Sequence, residues 1–117
     1  MGRSQPESAD AANPLEAPRI EPNQVQLGGE VTAREPLRFS PAGVPILALE
    51  LIHRSLQSEG GVPRQVDLEI ELVAIGGVAV KLDAVLPGQR LTARGFLANR
   101  SRRSRRVVLH VNEFEID

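Results

Sequence analysis

The sequence predicts an all-β fold, five short strands rolled into a small closed or partly open barrel, with a β-sandwich as the competing arrangement. Three observations predict it. Apolar residues alternate with polar ones in short runs, the period of a half-buried strand. Paired glycines and prolines punctuate those runs at short intervals. Only one stretch leaves room for a helix, and a long polar loop precedes the last run. At 117 residues the chain suits about one domain, and with ~20 residues set aside as a tail it can still bury one small core.

Residues 1–24 hold Pro6, Pro14, Pro18 and Pro22 among Ala, Ser, Glu and Asn, with no apolar face to bury, and read as a disordered tail. Residues 25–117 form the folded domain. Val25, Leu27, Gly29, Val31 and Ala33 alternate with polar partners as a first strand, in which Gly28-Gly29 permits the sharp bend of a strand serving both halves of a barrel. Glu35–Gly43, with Pro36 and Pro41, reads as a loop. Val44–Arg54 is a second strand, apolar on both parities, as if covered by its own core and by a second subunit. Gly60-Gly61 closes a hairpin within Leu56–Pro63. In the third strand Val66, Leu68, Ile70 and Leu72 face inward, and Asp67, Glu69 and Glu71 face outward as acids that repel phosphate. Val78–Leu86 reads equally as a short strand or a helical turn. Leu91, Ala93, Gly95 and Leu97 make the fourth strand, Val107, Leu109 and Val111 the fifth, and an acidic end finishes the chain.

Composition excludes several chemistries. The chain has no cysteine, so disulfides, thiolate metal sites and thiol nucleophiles are absent. No apolar run approaches the ~18 residues of a membrane span, and the first residues lack a signal-peptide pattern, so a soluble cytoplasmic protein without membrane contact is expected. His53 and His110 stand in strands without the spacing of metal ligands and read as hydrogen-bonded strand residues. Ser55 beside His53 has no elbow or triad around it, and Glu69 with Glu71 reads as a solvated face. No enzyme, cofactor or metal is expected.

Charge carries the functional signal. Asn99–Arg106 reads Asn-Arg-Ser-Arg-Arg-Ser-Arg-Arg, five arginines in eight residues, with no acid inside or beside it. The whole chain balances 14 basic against 15 acidic groups. Residues 25–117 carry twelve basic against eleven acidic groups, and without the loop's arginines seven against eleven. A positive finger on a negative body steers a polyanion to one surface. In the oligonucleotide-binding (OB) barrel, the first choice among barrels, the strand-one-to-two and strand-four-to-five loops hold oligonucleotides. Here those loops carry Arg34, Arg38 and Phe39, and Arg100, Arg102, Arg103, Arg105 and Arg106. Phe39 is the better candidate ring for stacking a base, ahead of Phe96, which lies off the inward parity; Phe114 reads as structural.

Pro36-Leu37-Arg38, Ser40-Pro41-Ala42-Gly43-Val44-Pro45, His53-Arg54-Ser55, Arg64-Gln65, Gly95-Phe96-Leu97 and Val108-Leu109-His110 come in this order. The ordered set resembles the primosomal replication protein N family of the bacterial restart primosome, related to single-strand DNA-binding proteins, over about residues 23–117. The resemblance implies an OB barrel, a homodimer, single-stranded DNA binding, and contact with the primosomal helicase and other primosome proteins during replication restart. It also implies that Arg103 and Arg106 stand where members have basic contacts. Where some members place aromatics this chain has Val62 and Asp67, so charge is expected to do more of the binding. A protein–protein adaptor with vestigial DNA binding is the alternative. Five arginine–phosphate contacts on a single strand would give a salt slope of about −3.5, and a guanidinium laid on a base would recover some stacking.

Overall fold

A computed structural model describes residues 17–117. The strands are β1 (Val25–Arg34), β2 (Arg38–Phe39), β3 (Pro45–Glu59), β4 (Val62–Ile75), β5 (Arg90–Asn99) and β6 (Val107–Ile116), with one helix, α1 (Gly77–Leu82), between β4 and β5. They lie in the order β1-β5-β6-β4-β3-β2, and a further β1–β3 pairing closes the five long strands into a barrel. Closure on the far side is a short parallel contact, Leu72 with Leu109 and Val73 with His110. The fold is the expected five-stranded OB barrel. Val78–Leu86, which reads equally as strand or helix, is helical over its first five residues, as part of α1.

β1 serves both halves as expected. Val25–Glu30 pairs with β5, Glu30–Arg34 pairs with β3, and the register slips between Val31 and Ala33. Glycine is required at the crossing because β1 and β3 nearly touch there: a Cβ on Gly29 would lie 2.3 Å from the carbonyl oxygen of Ile52. Gly95 answers a similar demand, since its Cβ would sit 1.7 Å from the carbonyl oxygen of His110. Leu47, Leu49, Leu51, Leu72, Leu91 and Leu109 fill the barrel, and Ala79 and Leu82 of α1 are buried with them.

Four expectations about elements are corrected. Glu35–Gly43 is not all loop, because Arg38 and Phe39 pair with Ile46 and Pro45 as β2. β3 and β4 run well past the apolar pattern, in unbroken register from Ile46↔Ile75 to Glu59↔Val62. A backbone ladder holds a two-stranded arm where there is no core to bury, so hydropathy alone ends the strands too early. The acidic end is strand as well: β6 reaches Ile116 because the register skips Asn112 and so changes parity. Phe114 then packs against the core, and Arg94 bridges Glu113 and Glu115 at 3.3 and 3.1 Å. Finally, Glu71 is not an exposed acid but a buried one, 6% accessible.

Of the tail expectation, residues 1–16 lie outside the described residues. Residues 17–24 are outside any helix or strand. Asn23 nevertheless belongs to the folded unit: its amide donates to the Leu97 carbonyl at 2.9 Å and accepts the Leu97 N–H at 3.0 Å, extending the β1–β5 ladder with a side chain.

Candidate nucleic-acid interface

The arginine cluster is the β5–β6 loop, as expected, but it is a built loop tied to the barrel. Arg100 N–H donates to the Arg106 carbonyl at 2.8 Å and closes the neck. Within it, Ser104 N–H donates to the Ser101 carbonyl at 3.2 Å and Arg106 N–H to the Ser104 hydroxyl at 3.0 Å. Glu50 and Glu71 are directly opposite on β3 and β4. Arg100 Nε lies 3.0 Å from Glu71 Oε1, and Arg106 Nη2 lies 3.5 Å from Glu50 Oε2.

The expectation that the arginines have no acids near them is therefore wrong for two of the five. Spacing along the chain hides this pairing, because the acids arrive from strands about 30 and 55 residues upstream that only the barrel brings alongside. Arg102, Arg103 and Arg105 are exposed at the tip and form no ion pair among the described residues. The loop divides into a tethered neck and a free, trivalent tip.

Arg34 has a different task from the one expected. One guanidinium nitrogen donates to the carbonyls of Asp83 at 2.6 Å and Val85 at 2.9 Å, and the other pairs with the Asp83 carboxylate. Its side chain is 16% accessible. It brackets the end of α1 and has little left to offer a phosphate. Arg38 and Phe39 on β2 are exposed, Phe39 at 62%. The bend after them is fixed by Ser40, whose N–H donates to the Val44 carbonyl at 2.9 Å and whose hydroxyl accepts the Val44 N–H at 3.2 Å. Arg38 sits beside Ile46, about 13 Å along β3 from Glu50 and the Arg106 tether.

The acidic face is less repulsive than its sequence reads. Asp67 is paired with Arg54 at 3.5 Å, Glu71 is under Arg100, and Glu69 alone of the three makes no ion pair among the described residues. His53 is hydrogen-bonded as expected: Nδ1 contacts the Gly28 carbonyl and Nε2 the Ser55 hydroxyl, each at 2.7 Å. A carbonyl only accepts, so Nδ1 bears the proton, and in the neutral ring Ser55 donates to Nε2. The serine oxygen in turn accepts from Gln57 Nε2 at 2.9 Å. This chain bridges β1 and β3 where they diverge. Among the described residues no group of His, Asp and Glu is placed to hold a metal ion, and no helix is long and apolar enough to cross a membrane.

One feature escaped the sequence. Phe96 and His110 are cross-strand neighbours whose rings stack with centroids 5.0 Å apart and planes 4° from parallel. Both belong to the outward parity of the barrel, and Phe96 remains 38% accessible. The register of β5 on β6 was the missing information; the off-parity position of Phe96 was the only signal.

Comparison with known proteins follows the same outline. Residues 23–113 match the model of a family described as another single-strand binding protein family. The chain is 36% identical over 104 residues to the replication restart protein PriB of Nitrosomonas europaea, covering 89% of this chain and 96% of that protein. It is 37% identical over 91 residues to PriB of Bordetella pertussis, covering 78% and 85%. Among solved structures, PriB of Ralstonia solanacearum superposes with a TM-score of 0.74 at 34% identity, over 83% of this chain and all (100%) of that one. The single-stranded DNA binding protein of Thermus aquaticus gives 0.65 at 26% identity, over 81% of this chain and 50% of that one.

Proposed function

The chain belongs to the PriB family of replication restart proteins, built on the single-strand-binding OB fold, and from that premise we propose that it binds single-stranded DNA through the tip of its arginine loop. The observation that carries this reading is the exposed trio Arg102, Arg103 and Arg105, held out from the barrel by a neck whose own arginines are occupied. Arg38 and Phe39 supply a charge and an exposed ring on the neighbouring first loop. Three or four phosphate contacts give an affinity that is modest, sequence-tolerant and steeply dependent on salt. Duplex DNA offers the same phosphates but no unstacked bases, so the preference for single strands rests on bases reaching exposed rings.

In replication restart such a protein holds single-stranded DNA and presents it to the primosomal helicase, assisting helicase loading in the cytoplasm. It does so as a homodimer, the arrangement that the family resemblance implies. Fluorescence anisotropy of a labelled single-stranded oligonucleotide, at several salt concentrations and beside a duplex of equal length, tests the DNA reading. Tighter single-strand binding that weakens steeply with salt supports it; no binding at low salt refutes it. The adaptor reading draws on the two tethered arginines and on Val62 and Asp67 standing where stacking aromatics are expected. It predicts helicase stimulation that survives alanine at all five loop arginines.

A further inference from the structure

We propose that the Phe96–His110 pair is a stacking site for a nucleobase, so that the strand held by phosphate at the arginine tip lays an adjoining base on the outer face of the barrel. This rests on the single-stranded DNA reading above and adds a site to it. The register places Phe96, His110, Val73 and Ala48 in one row across β5, β6, β4 and β3, and directly opposed residues share a face. The flanking Leu47, Leu72 and Leu109 point into the core, so this row points out. Ile46 and Ile75 form the next row and extend an apolar floor, with Ile75 51% accessible.

Two features make this floor fit a base rather than a hydrophobic protein element alone. The two rings already lie parallel, 4° apart, with Phe96 partly open to solvent. A third planar ring continues such a stack without rearranging it, at the offset geometry that aromatic faces prefer. The second feature is charge. The row carries no carboxylate, and Glu50 and Glu71, one row further along and about 7 Å away, are the two acids covered by Arg106 and Arg100. The arginine neck therefore does two things: it presents the tip, and it neutralises the boundary a phosphate crosses between tip and stack.

The chain has no tryptophan, which makes F96W a single-fluorophore reporter. Its emission is titrated with oligo-dT and with an oligomer of equal length containing abasic sugars, while anisotropy reports saturation. The expected result is strong quenching by oligo-dT and little by the abasic strand at equal occupancy. F96L, which keeps an apolar side chain without a ring, is expected to lose about tenfold in affinity at an unchanged salt slope. Saturation of F96W by oligo-dT without quenching overturns the stacking site and leaves the DNA reading intact. Failure of the unmutated protein to bind any single strand at low salt refutes the DNA reading itself. Should F96L prove unstable in a thermal melt, the F96W quench decides alone.

Discussion

Alanine at Arg102, Arg103 and Arg105 together, set against alanine at Arg100 and Arg106 together, separates tip from neck. On single strands each neutralised phosphate contributes about −0.7 to the slope of log affinity against log salt. If all five arginines engaged DNA, the loop would contribute about −3.5, and raising salt from 50 to 200 mM would weaken binding by about 130-fold through the loop alone. With only the three tip arginines free, the contribution is about −2.1, or about 18-fold over the same interval. The tip variant is therefore expected to flatten the slope by about 2, and the neck variant by less than about 0.7. The neck arginine side chains are 55% and 57% accessible but already spend their charge on Glu71 and Glu50. Anisotropy titrations at four or more salt concentrations read this difference directly. A neck variant that flattens the slope as much as the tip variant would refute the division of the loop.

Other substitutions probe the scaffold. R100A leaves the Glu71 side chain, 8% accessible, without its cation and is expected to cost about 1–2 kcal/mol in urea unfolding. Combining it with E71Q should return part of that loss, since a neutral amide is easier to bury than an unpaired carboxylate. R34A removes the bracket to Asp83 and Val85 and should cost about 2–3 kcal/mol while leaving the salt slope of DNA binding unaltered; a flattened slope would return Arg34 to the DNA site. G95A drives a methyl into the His110 backbone and is expected to lose about 3 kcal/mol or more by thermal melting, with G29A next in severity. Sedimentation equilibrium should give about 25 kDa, twice the 12.7 kDa chain; monomer alone at micromolar concentration would remove the dimer.

Much of this molecule was legible in its sequence, and the failures share a cause. The inward residues of β4, and Leu91 and Ala93 of β5, announce themselves by period, and the glycine pair Gly28-Gly29 announces the bend of β1; β3, apolar on both parities, hides which of its faces carries the core leucines. The helix could not be chosen over a strand, because Val80-Lys81-Leu82-Asp83-Ala84 alternates like a strand while Val78, Ala79, Leu82 and Val85 also fit one helical face, and only their place in the core settles the matter. Burial of Glu71, occupation of Arg34 and the Phe96–His110 stack all depend on which strands lie alongside, information that resides in register. A carboxylate in strict alternation looks solvated until an arginine from a loop 29 residues away closes over it. The skipped Asn112 is similar: one unpaired residue exchanges the faces of everything after it, so the acidic end gives no clean strand period although it pairs with β5 as far as Ile116.

The β3–β4 arm has a dynamic consequence. Beyond His53 and Leu68 its two strands have mostly exposed side chains, and its cross-strand ion pairs, Arg54 with Asp67 and Arg64 with Glu59, are at the surface. Surface pairs of this kind contribute little, so the arm opens without disturbing the barrel. Amide hydrogens should therefore exchange in a gradient, fastest at Gly60-Gly61 and slowing toward Leu51 and Ile70, whereas those of β1 and β5 wait for global unfolding. If amide exchange follows that gradient, a partner that grips the arm meets an entropic cost of ordering that the rigid barrel face does not impose.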